Sequence, residues 1–224
     1  MSTDLFPTLP GANWEVKMKD EFATLIQKAA APGFETRLLL GPDPLIHFEL
    51  DYNFLRQKSY DATSDEPYVL RGFFRARHGD FESFLLSLPV LTENLDDGAV
   101  AGQALTPDAN HIAPLVITRE GYDENIYEVG GVNGNPGSAP VVYNGGVSLT
   151  AGTDYNIVGP GYALDGVTYP GLAVQFLIDP TGFTMTADFS WYYRVRFEQS
   201  DQEFDKFLAL LYSAQKVQLV TSRV

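Results

Sequence analysis

The sequence predicts a mainly β fold of the α+β class. The clearest sign is the stretch T-M-T-A-D-F-S-W-Y-Y-R-V-R-F-E at 184–198. Met185, Ala187, Phe189, Trp191, Tyr193, Val195 and Phe197 alternate along it, so in an extended chain they share one face. The opposite face carries Asp188, Ser190, Tyr192, Arg194 and Arg196, which suits water or a partner. A strand of this length exceeds the usual span, so a bulge or sharp bend is expected within it. A second sign lies between about 88 and 182, where Gly, Pro, Asn and Asp punctuate short apolar pieces. A third is that, apart from the ambiguous residues 14–29, helical spacing is confined to two short stretches. A chain of 224 residues accommodates one large β domain or a core with an inserted module.

In chain order, residues 14–29 fit two patterns. Phe22, Leu25, Ile26 and Ala29 suit a helical face, while Trp14, Val16, Met18 and Phe22 suit alternation. Residues 32–40 and 45–52 read as strands separated by the breaker G-P-D-P. A helix follows, capped by Ser64 or Asp65, with Pro67 in its first turn and Val69, Leu70, Phe73 and Phe74 as its apolar stripe. It should end at H-G-D (78–80), where Gly79 takes the left-handed cap, and pass into a strand F-E-S-F-L-L (81–86). The central region holds the pieces P-L-V-I-T (114–118), I-Y-E-V (126–129), P-V-V-Y (140–143), V-S-L-T (147–150) and A-V-Q-F-L-I (173–178). N-G-G at 144–146 and D-G at 165–166 signal tight hairpins. Ser200 and Glu203 form a capping box before Phe204, Phe207, Leu208 and Leu211, which predicts a second helix. K-V-Q-L-V-T-S-R closes the chain as a strand. Strand–helix–strand is therefore expected twice, in a core of residues 1–90 and 183–224 around a small antiparallel β module at 91–182.

Fifteen basic residues against 29 acidic ones leave a net charge of −14. That disfavours a nucleic-acid binder, whose phosphate contacts come largely from Lys and Arg, and an anionic membrane surface. With no cysteine, neither disulfides nor thiolate–metal sites contribute. The N-terminus resembles no signal peptide, and no apolar run is long enough to span a bilayer. His47, His78 and His111 lack metal-ligand spacing, so no metal or other cofactor is expected. The pairs Asp96–Asp97 and Asp123–Glu124 read as solvated loops, and no nucleophile elbow, P-loop or dinucleotide fingerprint occurs. An enzyme is not expected. Arginine and tyrosine anchor many protein interfaces, which makes Arg194, Arg196 and Tyr192 candidates for a contact surface. Pairing of the two arginines with local carboxylates is an equally good reading of the residues alone.

Several segments resemble one family. E-P-Y-V-L-R-G-F-F-R-A-R-H-G-D-F-E-S-F-L-L (66–86) is similar to the short helix, Phe-Phe pair, Arg/Gly turn and Phe-rich strand of phage distal tail proteins. The branch in question includes those of gene transfer agents. F-P (6–7), E-F-A-T-L-I (21–26) and G-F-E-T-R (33–37) resemble its opening strands. W-Y-Y-R-V-R-F-E (191–198), the helix expected after it and V-Q-L-V (217–220) resemble its closing part. The likeness covers roughly residues 1–90 and 170–224. The tryptophan often seen after the G-x-E-x-R segment is missing, and 91–140 follows the pattern less clearly.

The resemblance implies that 14–29 forms strands and that the core is a split β-barrel with flanking short helices. It marks Phe73, Phe74, Gly79, Phe81 and Trp191 as structural signature positions. It implies a structural virion protein of the tail tip, assembled in the host cytoplasm as a ring, usually a homohexamer. Such a ring joins the tail tube protein to the hub and the tip or fibre proteins, and DNA only passes through its lumen. Arg71, Arg75 and Arg77, with Tyr192, Arg194 and Arg196, are then candidates for the subunit or partner interface. The surplus carboxylates would line the lumen and repel DNA. The alternative is a receptor- or carbohydrate-binding tail-tip component that uses the 91–182 module. A peptidoglycan-degrading tail enzyme would need a convergent site for which the sequence offers no motif.

Overall fold

The computed structural model describes residues 4–9, 12–28, 35–41, 43–57, 65–87, 99–119, 121–130, 138–208 and 210–222. Within them the chain is mainly β, with one helix. Its contacts divide it into two compact units, residues 1–84 with 195–224 and residues 85–194.

The first unit is built on long antiparallel strands. β1 (Ala12–Glu21) pairs with β4 (Leu45–Arg56), and the hairpin β2 (Thr24–Lys28) with β3 (Glu35–Leu39) lies between them in sequence. Residues 14–21 and 24–28 are thus strand rather than helix, as the resemblance implied; the side chain of Trp14 lies outside the described residues. Alternation in β4 buries Ile46, Phe48, Leu50, Tyr52 and Leu55 while His47, Glu49 and Asp51 look outward. The helix α1 (Glu66–Ala76) keeps Pro67 in its first turn and buries Leu70. Asp65 occupies the N-cap position without a side-chain capping bond, and Ser64 lies outside the described residues. Val69, expected on the apolar stripe, is 45 % exposed, because the buried sector is narrower than four residues. Gly79 takes the left-handed conformation as expected, at φ 67°.

Three further corrections concern the predicted ends. β5 (Phe84–Leu86) begins three residues later than F-E-S-F-L-L suggested, and Phe81 stands in the preceding turn, 81 % exposed. The capping box at Ser200 opens no helix. Residues 205–208 form strand β18 (Asp205–Leu208), paired with β19 (Leu211–Thr221). The final strand thus extends back far enough to take 205–208 as a hairpin partner, satisfying their backbone groups without a helix. Strand–helix–strand therefore occurs once. β19 pairs in turn with β4, with register shifts near Ala214, and Lys216 adopts φ 55° beside the second. Its N–H donates to the Asp51 carboxylate at 2.8 Å.

β17 (Met185–Phe197) supplies Val195–Phe197 to this unit, opposite Leu219–Thr221 of β19. Phe197 joins an aromatic core with Phe6, Phe73, Phe74 and Phe84, at ring separations of 4.8 Å to Phe74 and 5.0 Å to Phe84. Phe73 meets Phe84 edge-on at 4.9 Å.

The rest of β17 organises the second unit. β6 (Ala99–Leu105) follows one of its edges, and β11 (Val141–Asn144) and β10 (Glu128–Gly130) the other. The bulge at this point lies in the partner rather than in β17 itself. Between Ala187 and Phe189, Asp188 alone faces Ala101 and Gly102 of β6, and β11 follows the same stretch without a shift. Gly102 adopts φ 67° and donates its N–H to Asp188 at 2.6 Å. β12 (Val147–Ser148) closes the N-G-G hairpin with β11. β13 (Tyr155–Val158), β16 (Ala173–Phe176) and β7 (Ile112–Pro114) form a three-stranded sheet. β14 (Tyr162–Leu164) and β15 (Val167–Tyr169) meet at Asp165–Gly166, whose φ values of 49° and 82° fit the tight turn that D-G predicts. β8 (Val116–Arg119) and β9 (Tyr122–Asn125) make a separate hairpin. Ile112, Val158, Tyr169 and Ala173 cluster in the core of this unit. Among the described residues every sheet is open.

Candidate subunit interface

The β2–β3 hairpin is exposed along its whole described length, on both faces. Its register pairs Leu25 with Leu38 and Gln27 with Thr36, and Leu40 donates its N–H to the Ala23 carbonyl. Directly opposed residues share a face, so Ala23, Leu25, Gln27, Thr36, Leu38 and Leu40 make one side of the hairpin. That side carries no charge, and Leu25, Leu38 and Leu40 are 55, 54 and 62 % exposed. The other side holds Ile26 and Leu39 with Lys28, Glu35 and Arg37, and Glu35 pairs with Arg37 there. The ribbon is thus amphipathic, with its apolar side open. Contiguous exposed apolar surface of this kind marks contact sites.

The residues singled out from sequence fall into three groups. Arg71 and Arg75 are exposed on α1, and neither is held by a salt bridge or side-chain hydrogen bond among the described residues. Arg77 is spent inside its own unit. It bonds Asp4, reaches Glu82 at 3.2 Å and lies over the Phe73 ring at 5.5 Å. The third group, on β17, corrects the expectation of an outward polar face. Tyr192 and Arg194 are only 6 and 7 % exposed. β10 places Glu128 opposite Tyr192, and the Arg194 guanidinium donates to its carboxylate. Arg196 is half-buried and donates to the Phe197 carbonyl at 3.0 Å. The signature positions divide as well. Phe73 and Phe74 enter the aromatic core, and Trp191 is buried against Tyr193 at 4.8 Å. A Cβ on Gly79 would stand 3.1 Å from the Ser200 carbonyl oxygen, so backbone approach as well as φ favours glycine there.

Beside the hairpin's root, the outer face of β1, β4 and β19 carries a ladder of polar pairs. Lys17 donates to Glu49 at 2.6 Å, and Gln218 reaches the same carboxylate at 3.5 Å. The Lys17 ammonium holds the Glu49 carboxyl below its ordinary value. His47 stands 3.4 Å from Glu21 and 3.3 Å from Glu198. In the second unit, a groove of about 510 Å³ is lined by Gln103, Thr106, Val116, Thr118 and Asp123 among others. The Gln103 side-chain oxygen is buried without a partner among the described residues. Burial raises the Asp108 carboxyl, but the Tyr169 hydroxyl and the N–H groups of Ile112 and Asn110 outweigh it and lower the value. That cluster fixes a loop.

The hairpin was legible as strands but not as a contact surface, since alternation assigns faces without saying what covers them. Asp96–Asp97 lie outside the described residues, and Asp123 accepts from the Thr118 hydroxyl at 2.7 Å. No family model matches the chain, and no curated protein matches it.

Proposed function

We propose that this protein is a structural component of a phage tail tip, a ring subunit that joins the tail tube to the hub and fibre proteins. The observation that carries the reading is the uncharged side of the β2–β3 hairpin, an apolar ribbon left more than half exposed by the described residues. A ring protomer needs two unlike patches that fit one another, and a projecting amphipathic ribbon suits one of them. The resemblance of residues 66–86 and of both ends of the chain to distal tail proteins supplies the setting. In this reading the long strands of the first unit belong to a split β-barrel, the ring holds six copies, and the carboxylate surplus faces the lumen where DNA passes. The protein acts by assembly, in the virion, and catalyses nothing.

The test is the mass of the purified protein by light scattering after gel filtration, followed by mass photometry. A species of about six chains, with a central hole on imaging, supports the ring. A monomer at every concentration, with purified tail tube present as well, sinks it. The groove beside Gln103 favours a second activity, binding of a hydroxyl-rich receptor by the 85–194 unit. A glycan array with no signal above background removes it.

A further inference from the structure

α1 carries an outward stripe that no contact among the described residues explains. Tyr68, Arg71, Gly72 and Arg75 recur at helical spacing, so they share one face over two turns. Tyr68 is 51 % exposed and Val69 beside it 45 %. Both arginines lack partners among the described residues, in a chain where acids outnumber bases by 29 to 15. Gly72 is the telling residue. It sits in the helix interior, its φ is not in the left-handed region, and a Cβ there would meet no atom within 4 Å. Glycine weakens a helix more than any residue except proline, and neither backbone geometry nor packing within the chain calls for it here. The room it leaves would admit a close approach from outside, on a helix face that also carries Arg71 and Arg75.

We infer that this stripe is the second patch of the subunit contact, and that it receives the uncharged side of the β2–β3 hairpin from another copy of this chain. The inference rests on the ring reading above. The fit is chemical. Leu25, Leu38 and Leu40 cover Tyr68 and Val69, and the hairpin backbone passes over Gly72. Arg71 and Arg75 reach past its edges to carboxylates at the hairpin's root, where Asp20 is exposed and unpaired among the described residues. A nucleic acid is the weaker occupant. Two arginines do not offset the field of a molecule at net −14, whereas a carboxylate pair enclosed in an interface acts at short range.

The chain contains no cysteine, so engineered pairs report without background. Leu38→Cys and Gly72→Cys are made as separate full-length proteins, then mixed and oxidised. The expected result is a disulfide-linked dimer in the mixture and in neither protein alone. Leu38→Cys mixed with Phe81→Cys, at a position 81 % exposed, should give none. Rings by mass photometry without a 38–72 link overturn this assignment and leave the ring reading intact. Monomers throughout defeat the ring reading and this assignment with it. Gly72→Gln separates contact from folding. It should raise the Tm of the subunit, because Gln is the better helix former, and weaken assembly by about tenfold or more. Unchanged assembly with a raised Tm also overturns the inference. So does retention of a labelled DNA duplex that Arg71→Glu with Arg75→Glu abolishes, since the stripe would then serve phosphate.

Discussion

Glu66 has no solvent-exposed surface, yet it is a carboxylate. Arg56 answers it with three donors, the backbone N–H at 2.8 Å and guanidinium nitrogens at 3.1 and 2.9 Å. The pair ties the first turn of α1 to the end of β4. Arg56→Ala removes the two guanidinium donors from a fully buried carboxylate and leaves it the backbone N–H, so it should cost about 3 kcal/mol, read from the denaturant midpoint. Gly79→Ala should cost roughly 1–2 kcal/mol, since a left-handed φ of 67° is added to crowding by the Ser200 carbonyl. The Lys17–Glu49 pair predicts a pH effect. With its folded-state value depressed, the Glu49 carboxylate contributes stability that is present above its ordinary value of 4.5 and lost as pH falls through the folded value. Lys17→Met should flatten the acid limb below the ordinary value of 4.5, measured as midpoint against pH. An unchanged limb would mean that the pair carries no weight. At this scale the sequence was least informative about β17. Tyr192 and Arg194 sit at outward positions by alternation, but alternation cannot reveal that β10 covers the second face and brings Glu128 to meet the arginine.

Elements were legible where turn chemistry punctuated them. N-G-G and D-G each closed a hairpin because two successive residues there have positive φ, which those residues tolerate. The segment 200–211 misled because Phe204, Phe207, Leu208 and Leu211 fit a helical face as well as a ribbon. The ribbon forms instead, and it leaves Phe207 and Leu208 more than half exposed. Local spacing could not show that β19 would reach back to Leu211 and offer the pairing edge. The β2–β3 ribbon yields the prediction at this scale. Leu25→Ser, Leu38→Ser and Leu40→Ser together should change the unfolding free energy of the subunit by about 1 kcal/mol or less, because each is more than half exposed. The same triple variant should run at the mass of a single chain where the parent forms rings. Full-sized rings from it would release the ribbon from the interface.

For the whole molecule, the net charge of −14 sets how copies meet. Like-charged subunits repel over about 10 Å at 0.1 M salt, and repulsion over that range is screened as salt rises. Ring formation should therefore increase between about 0.05 and about 0.5 M salt, followed by mass photometry. A decrease would mean that the Arg71 and Arg75 contacts outweigh the overall repulsion. The way β17 is shared has a different consequence, for anyone who would recombine this protein. Modules are commonly exchanged at loops, where a splice disturbs little. Here the seam between the two units falls between Arg194 and Val195, inside a continuous strand, and the other seam between Phe84 and Leu85 falls inside β5. A chimera that swaps residues 85–194 must therefore arrive with two strand stubs already in register. One cut at the seams leaves Val195–Phe197 as a three-residue remnant against β19, too short to hold Phe197 in the aromatic core.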